Sequence, residues 1–370
     1  MQRVIASGMF TMGANVAEFE RQFAAWLGSR HCVMVNSGSS ANLLMIAALF
    51  CTRNKALGLA RGDEVIVPAV SWSTTYFPLQ QYGLRVRFVD VDLETLNYDL
   101  DRLALAVTER TRLIVAVNLL GNPNDFDRIG EILKGRRITL IEDNCESMGA
   151  SYHGRKTGTF GVMGSFSCFF SHHMSTMEGG LVTTDDEELH HILLALRAHG
   201  WTRNLPKINR ICEKSDDPFE ESWRFVLPGY NVRPLELSGA IGIEQLKKLP
   251  EFLEARRRNG RLFREVMAKH PDIIIQREIE DSSWFGFSLV IRPGSKLARK
   301  ALIGQLAELG FESRPIVAGN FAKNEAVERY FDFDIPFPLR NADHIDRYGV
   351  LVGNQHFPIP DAIEALGRLK

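Results

Sequence analysis

The chain has few of the features that mark a protein for a membrane, an oxidising compartment or a polyanionic partner. Its 370 residues include five cysteines, Cys32, Cys51, Cys145, Cys168 and Cys212, an odd number with no C-x-x-C pair. That argues against a disulfide framework, a zinc ribbon and a clustered iron–sulfur motif, so no metal site is expected and a reducing cytoplasm is the simplest compartment. The longest apolar run, Leu43–Phe50, is far short of a membrane span, and Met1–Gly13 is too short and too polar for a signal sequence. The formal net charge is only -1, so no global field draws the chain to nucleic acid or to an anionic membrane. There is no P-loop, no G-x-G-x-x-G, no internal repeat and no low-complexity tract.

What is present is an ordinary globular balance, 45% hydrophobic and 24% charged residues. The length suits one large domain plus a smaller one, or two equal ones. Val16, Phe19, Phe23 and Trp26 share one helical face, and Gly28 suits the helix end. Short apolar strands are expected at 31–35, 64–67, 86–91, 113–117, 139–141 and 181–184. Helices are expected at 41–50, 74–82, 99–107 and 126–134. That alternation predicts a mostly parallel sheet covered on both faces. Asp185, Asp186, Glu187 and Glu188 read as the acidic start of a helix. Residues 201–235 lack periodicity, and a loop of that length is usually functional or mobile. Beyond them a helix carrying Leu246, Leu249, Phe252 and Leu253, strands at 284–291 and 311–317, and a helix at 297–309 predict a small α/β unit. The expected division is a large domain over 1–235 and a small one over 236–370.

Three segments carry candidate chemistry. Asn36-Ser37-Gly38-Ser39-Ser40-Ala41-Asn42 lies between a strand and a helix, where free N–H groups and hydroxyls can meet an anion, or where serine merely caps a turn. Ile141-Glu142-Asp143-Asn144 ends a strand at the carboxyl edge where open α/β sheets place ligands. Alternation sends its two acids to opposite faces, and a structural salt bridge is the competing interpretation. The third runs Ser165-Phe166-Ser167, Ser171-His172-His173 and Glu178-Gly179-Gly180. Adjacent histidines on one strand point apart, so the pair is a poor metal site.

Together, in order and spacing, these segments resemble the sugar aminotransferases of the DegT/DnrJ/EryC/StrS-like family, which have the aspartate-aminotransferase fold (fold type I of the pyridoxal-phosphate enzymes). The resemblance extends over nearly the whole chain and includes Val67-Pro68-Ala69-Val70-Ser71-Trp72 and Gly229-Tyr230-Asn231-Val232-Arg233-Pro234. The family places a lysine six residues before Glu-Gly-Gly; His172 stands there in this chain. Ser-His-His-Met-Ser-Thr-Met-Glu-Gly-Gly and Arg197-Ala198-His199-Gly200-Trp201-Thr202-Arg203 are similar to the branch that deoxygenates GDP-linked sugars.

The resemblance implies an α/β fold with a mostly parallel central sheet and a smaller C-terminal α/β domain. The cofactor it implies is pyridoxal 5′-phosphate, cycling with pyridoxamine 5′-phosphate. Asp143 would face the pyridine nitrogen and Trp72 the ring. Gly38, Ser39 and Ser167 would hold the phosphate, completed by Asn231 of a neighbouring subunit in a homodimer with shared sites. His199, Arg203 and Arg314 would meet sugar or diphosphate. An imidazole cannot form the stable linkage to the cofactor aldehyde that a lysine amine forms; it can only move protons, which a pKa of about 6.5 suits. The expected reaction is therefore C3 dehydration with deamination of a GDP-linked 4-keto-6-deoxy sugar, with His172 catalytic and L-glutamate as amino donor. The alternatives are a nucleotide-sugar 4-aminotransferase, a dehydratase of another 4-keto-6-deoxy nucleotide sugar (including a CDP-hexulose type that needs an iron–sulfur cluster), and a non-catalytic cofactor-binding relic. The family also usually carries about one more helical turn and a short extended segment before the position of Met1.

Overall fold

The computed structural model describes residues 1–370. In chain order the first strands are β1 (His31–Val35), β2 (Glu64–Pro68), β3 (Arg85–Val89), β4 (Thr111–Val117) and β5 (Thr139–Asp143). A short hairpin follows, β6 (Ser151–Tyr152) and β7 (Arg155–Lys156), then β8 (Met163–Ser167) and β9 (Gly180–Thr184). The last strands are β10 (Ile273–Ile275), β11 (Gly286–Ile291), β12 (Ser313–Arg314), β13 (Phe333–Asp334) and β14 (Gly349–Gly353). Eight of them form one sheet in the order β1-β9-β8-β5-β4-β2-β3-β13. It is parallel from β8 to β13 and antiparallel where β9 meets β1 and β8. Val65, Ile66 and Val67 are wholly buried, as are Leu113 and Ile114, which is what covering both faces of a parallel sheet requires. A second sheet, β10-β11-β14-β12, is antiparallel throughout.

Helices follow the apolar periodicity. Phe19 and Phe23 lie inward on the helix Ala14–Leu27, which ends at Gly28 in the left-handed conformation (φ 91°). The acidic run caps the helix Glu187–Leu196, Asp186 accepting from Leu189 N at 2.9 Å. Residues 201–235 hold only the short helix Pro218–Ser222 and isolated bridges such as Trp201 with Phe225.

Two expected strands are shorter than the apolar pattern suggested. Only Ser313–Arg314 of 311–317 pairs, because Pro315 has no N–H to donate and Val317 turns the chain with φ 43°. At 284–291 pairing begins at Gly286. Trp284 has φ 47°, and Phe285 N donates instead to Leu120 O at 3.0 Å, so this corner packs on the large sheet's loops.

The expected boundary at 235/236 coincides with the start of the 32-residue helix Glu236–Met267. Chain on either side of it is tightly tied together. The helix Ala14–Leu27 begins at Gly13, which offers no side-chain cap. Its first amides donate instead to the buried Glu236 carboxylate, from Gly13 N at 2.6 Å, Asn15 N at 2.6 Å and Val16 N at 3.2 Å. Asn15 Nδ2 adds a fourth bond at 2.7 Å. A negative charge at a helix N-terminus satisfies amides that have no intrahelical acceptor. Glu236→Ala strips that acceptor and should cost about 3 kcal/mol in urea denaturation, with Glu236→Gln losing less. A loss below about 1 kcal/mol would show that water replaces the clamp.

Candidate active site

The carboxyl edge of the parallel strands opens into a cavity of about 480 Å³. Seven of the residues singled out from sequence line it: Gly38, Ser39, Trp72, Asp143, Ser167, His172 and Arg314.

Its floor is built by strand alternation. Asp143, the last residue of β5, is buried and directed towards the cavity. Its Oδ2 accepts from Asn42 Nδ2 and Thr75 Oγ1, each at 2.8 Å, and its Oδ1 from Cys145 N at 3.1 Å. Asn42 is held in that orientation because its Oδ1 accepts from Ser165 Oγ at 2.6 Å. Glu142 takes the opposite face, accepting from Gly158 N, Phe160 N and Gly161 N. On β8, Ser165 and Ser167 share the face towards the site, while Phe166 packs edge-on against Phe23 at 5.2 Å.

The anion end lies at the start of the helix Gly38–Cys51. Ser37 caps it, its Oγ accepting from Ser40 N at 3.1 Å, and the amides of Gly38 and Ser39 have no intrahelical acceptor. A Cβ on Gly38 would sit 2.7 Å from Ser167 Cβ and 2.9 Å from Cys145 Sγ, so only glycine lets the helix start approach β8 this closely. Ser39 Oγ donates to Thr74 Oγ1 at 3.1 Å, joining this turn to the helix Ser73–Gln81. Trp72 precedes that helix and leaves 57% of its surface open beside the cavity. A small aromatic phosphate fits these parts. The helix N-terminus and hydroxyls suit the phosphate, the indole face suits a ring, and the buried carboxylate suits a protonated ring nitrogen.

His172 sits in a turn, not on a strand, with its ring edge-on to Phe169 at 5.9 Å and Phe285 at 5.1 Å. Its Nδ1 is buried without a partner. Burial, then the charges of Arg314 and Arg256, push its pKa down to about 4, so at neutral pH it is an unprotonated base. His173 points away: it is fully buried and donates from Nε2 to Ser283 O at 3.1 Å. No lysine lines the cavity.

The remaining three residues lie elsewhere in the same chain. Asn231 is exposed and bridges to Ala198. His199 has φ 61°, and its ring lies 4.6 Å from Trp201. The Arg203 guanidinium stacks 3.5 Å over Trp201, whose indole also faces Arg233 at 5.6 Å. These residues form a second, arginine- and aromatic-rich group outside the cavity lining. Sequence inspection missed Asn42, Thr75, Phe285 and Glu146. Asn42 and Thr75 act through Asp143, a contact that only the fold creates. Glu146 was legible as an acid three residues beyond Asp143. It is half-buried, and Oε2 accepts from Leu120 N at 3.1 Å. Burial pushes its pKa up to about 7, against the opposing effects of that N–H and of Arg314. No group of three or more His, Cys, Asp or Glu side chains is arranged to hold a metal.

The profile of the DegT/DnrJ/EryC1/StrS aminotransferase family matches residues 1–340. The GDP-4-keto-6-deoxy-D-mannose 3-dehydratase of Yersinia pseudotuberculosis is 60% identical over 367 residues, covering 99% of this chain and 93% of the relative. A structure of GDP-4-keto-6-deoxymannose-3-dehydratase with a trapped PLP–glutamate geminal diamine superposes with a TM-score of 0.98 at 58% identity, covering 100% of this chain and 96% of that one. A histidine-to-asparagine variant of such an enzyme with bound GDP-perosamine superposes with a TM-score of 0.97 at 58% identity, covering 99% and 95%.

The geometry around His172 leads to a direct measurement. In full-length protein its imidazole should titrate near pH 4 by NMR, and Arg314→Gln should move the midpoint up towards the ordinary 6.5. An unchanged midpoint would remove Arg314 from the causes of the shift.

Proposed function

The chain belongs to the DegT/DnrJ/EryC1/StrS aminotransferase family, and on that premise we propose that it is a pyridoxal-phosphate-dependent 3-dehydratase of GDP-4-keto-6-deoxy-D-mannose. Its fold is the aspartate-aminotransferase-like fold type I. The observation that carries the reading is the cavity itself: an anion-binding helix start, a buried carboxylate and an unprotonated histidine occur together, with no lysine beside them. A lysine would complete amino transfer, whereas a histidine restricts the site to proton movement. The same observation counts against a 4-aminotransferase.

When bound, the pyridoxal/pyridoxamine phosphate supplies the amine that engages the 4-keto group and an electron sink for breaking the C3–O bond. In this reading residues 1–235 form the cofactor-binding domain and 236–370 the smaller one. Asp143 keeps the ring nitrogen protonated, and Trp72 covers the ring. Gly38, Ser39 and Ser167 hold the phosphate with Asn231 of the partner subunit. His172 takes the proton from C4′. His199, Arg203 and Arg314 receive the sugar diphosphate, for which the planar guanidinium fork suits phosphate oxygens. Glutamate is the amino donor. The product is GDP-4-keto-3,6-dideoxy-D-mannose, released with ammonia and destined for colitose and O-antigen lipopolysaccharide. The protein works as a cytoplasmic homodimer; no helix is long and apolar enough to cross a membrane.

With GDP-4-keto-6-deoxy-D-mannose and glutamate, 2-oxoglutarate and ammonia should appear in equal amounts beside a 3-deoxy sugar. A stable 4-amino sugar as the main product would favour the aminotransferase instead. His172→Asn should slow dehydration by about 100-fold or more, while His173→Asn keeps appreciable turnover. Borohydride should trap no cofactor on the wild-type chain, and His172→Lys should create that adduct.

The shared site has its own test. In a mixed dimer of His172→Asn and a disruptive Asn231 variant, one site collects both lesions and the other is built from intact parts. Subunit exchange should restore activity that neither variant has alone. Exchange shown by native mass spectrometry without recovery would place each site within one chain.

A further inference from the structure

A second cavity, of about 780 Å³, opens at the other end of the same strands. Its wall includes Thr139, which begins β5, and Gly161 and Val162, which lead into β8. It lies on the Glu142 side of the sheet, whose face Leu140 shares, and has no residue in common with the cofactor cavity. Its lining is divided by chemistry. Leu57, Leu133, Leu140 and Phe160 make one part apolar, and Arg136, Arg137 and Arg155 bring three guanidiniums to the other. We propose that this groove binds a nucleoside diphosphate, with its phosphates on the arginines and its base against the apolar part. The site is separate from the dehydratase chemistry and does not rest on that reading.

The three arginines are free to meet an outside anion. Arg136 and Arg137 are exposed and enter none of the chain's ion pairs. Arg155 is held in place before any ligand arrives. Its Nε donates to Thr159 Oγ1 at 2.9 Å and its Nη2 to Thr159 O, which leaves Nη1 unengaged. The guanidinium lies over the Phe160 ring, 4.7 Å from its centre, and Phe160 stacks on Phe126 at 4.0 Å with the planes 6° apart. Asp185 is the one acid on the lining, and its Oδ1 already accepts from Arg30 N at 2.7 Å and Ser29 Oγ at 3.2 Å. In a chain of net charge -1, three guanidiniums facing one engaged carboxylate are a local excess of positive charge. Planar guanidinium forks match phosphate oxygens in charge and in geometry.

Size and shape select the rest of the ligand. The volume is that of a small-molecule site, more than a lone phosphate fills. The apolar part offers nothing to a second charged group and suits a flat base. Gly130 preserves the room. It sits inside the helix Phe126–Leu133, where glycine costs about 1 kcal/mol against alanine. No neighbour requires it, since an added Cβ would meet nothing within 4 Å. A side chain at 130 would enter the open groove.

The test is calorimetric titration of the full-length protein with GDP. Arg136→Ala/Arg137→Ala should weaken one binding event by about 100-fold or more, with kcat for the sugar unchanged. Both side chains are exposed, so their removal leaves the packed core intact. The same event should persist in Arg314→Gln, which alters only the cofactor cavity, and should be lost in Gly130→Trp, which fills the groove. Inorganic diphosphate should bind there about 10-fold more weakly than GDP, because it leaves the apolar part bare. GDP binding that is unchanged in the double arginine variant would overturn the site. An event lost in Arg314→Gln would belong to the cofactor cavity and would overturn it equally. Equal affinity for inorganic diphosphate would overturn the nucleotide assignment. A wild type that shows the event yet forms no 3-deoxy sugar would bring down the dehydratase reading and leave this site standing.

Discussion

Glu142 and Asp143 leave β5 on opposite faces, and both are taken out of water. Burying a carboxylate costs several kcal/mol unless donors compensate, so each recruits its own set, and those donors fix the surrounding chain. The three amides on Glu142 pin residues 158–161 beneath the sheet. That loop leads into β8, so its placement sets the register that turns Ser165 and Ser167 towards the site. Burial still raises the Glu142 pKa despite those donors, so the side chain is no idle surface acid. Asp143 recruits one donor from each of two helices, Asn42 and Thr75. The helix starts that carry Gly38 and Trp72 are thereby indexed to a single carboxylate. Displacing Asp143 would loosen the phosphate end and the aromatic wall together, although it touches neither.

The same cavity shows how one substitution redirects the chemistry. The aromatic edges of Phe169 and Phe285, burial and the Arg314 charge all oppose a proton on His172. A lysine there would meet the same hostility as an ammonium ion and would be driven towards the neutral amine that condenses with an aldehyde. The environment is therefore permissive of both reactions, and the side chain decides between them.

Much of this was legible from the sequence because it depends on local periodicity. Parallel strands with short helices between them, Gly28 as a helix end, the opposite facing of Glu142 and Asp143, and the Ser-Gly-Ser helix start all follow from neighbours within a few residues. The cavity residues were implied by the resemblance to a known family, not by periodicity or spacing. What stayed hidden involves partners distant in sequence. Glu236 capping a helix more than two hundred residues earlier leaves no local trace, and neither does Asn42 meeting Asp143. The apolar stretches at 284–291 and 311–317 read as full strands because periodicity does not register a proline without a donor or a residue turned to positive φ. Glu146 was visible as an acid, but its protonation depends on burial that only the assembled loops create.

The strand at the far edge of the large sheet also bears on how the protein is made. β13 comes from the last tenth or so of the chain, yet it pairs in parallel with β3 and ties Arg87 to Asp334 at 2.6 Å. On a ribosome, β1 to β9 emerge long before Phe333 does. The row of hydrogen-bonding groups along β3 therefore waits uncovered through most of synthesis, an open edge on an otherwise assembled sheet. A nascent chain stalled before Phe333 would carry that edge exposed, and truncation ahead of Phe333 would be felt first as self-association through β3.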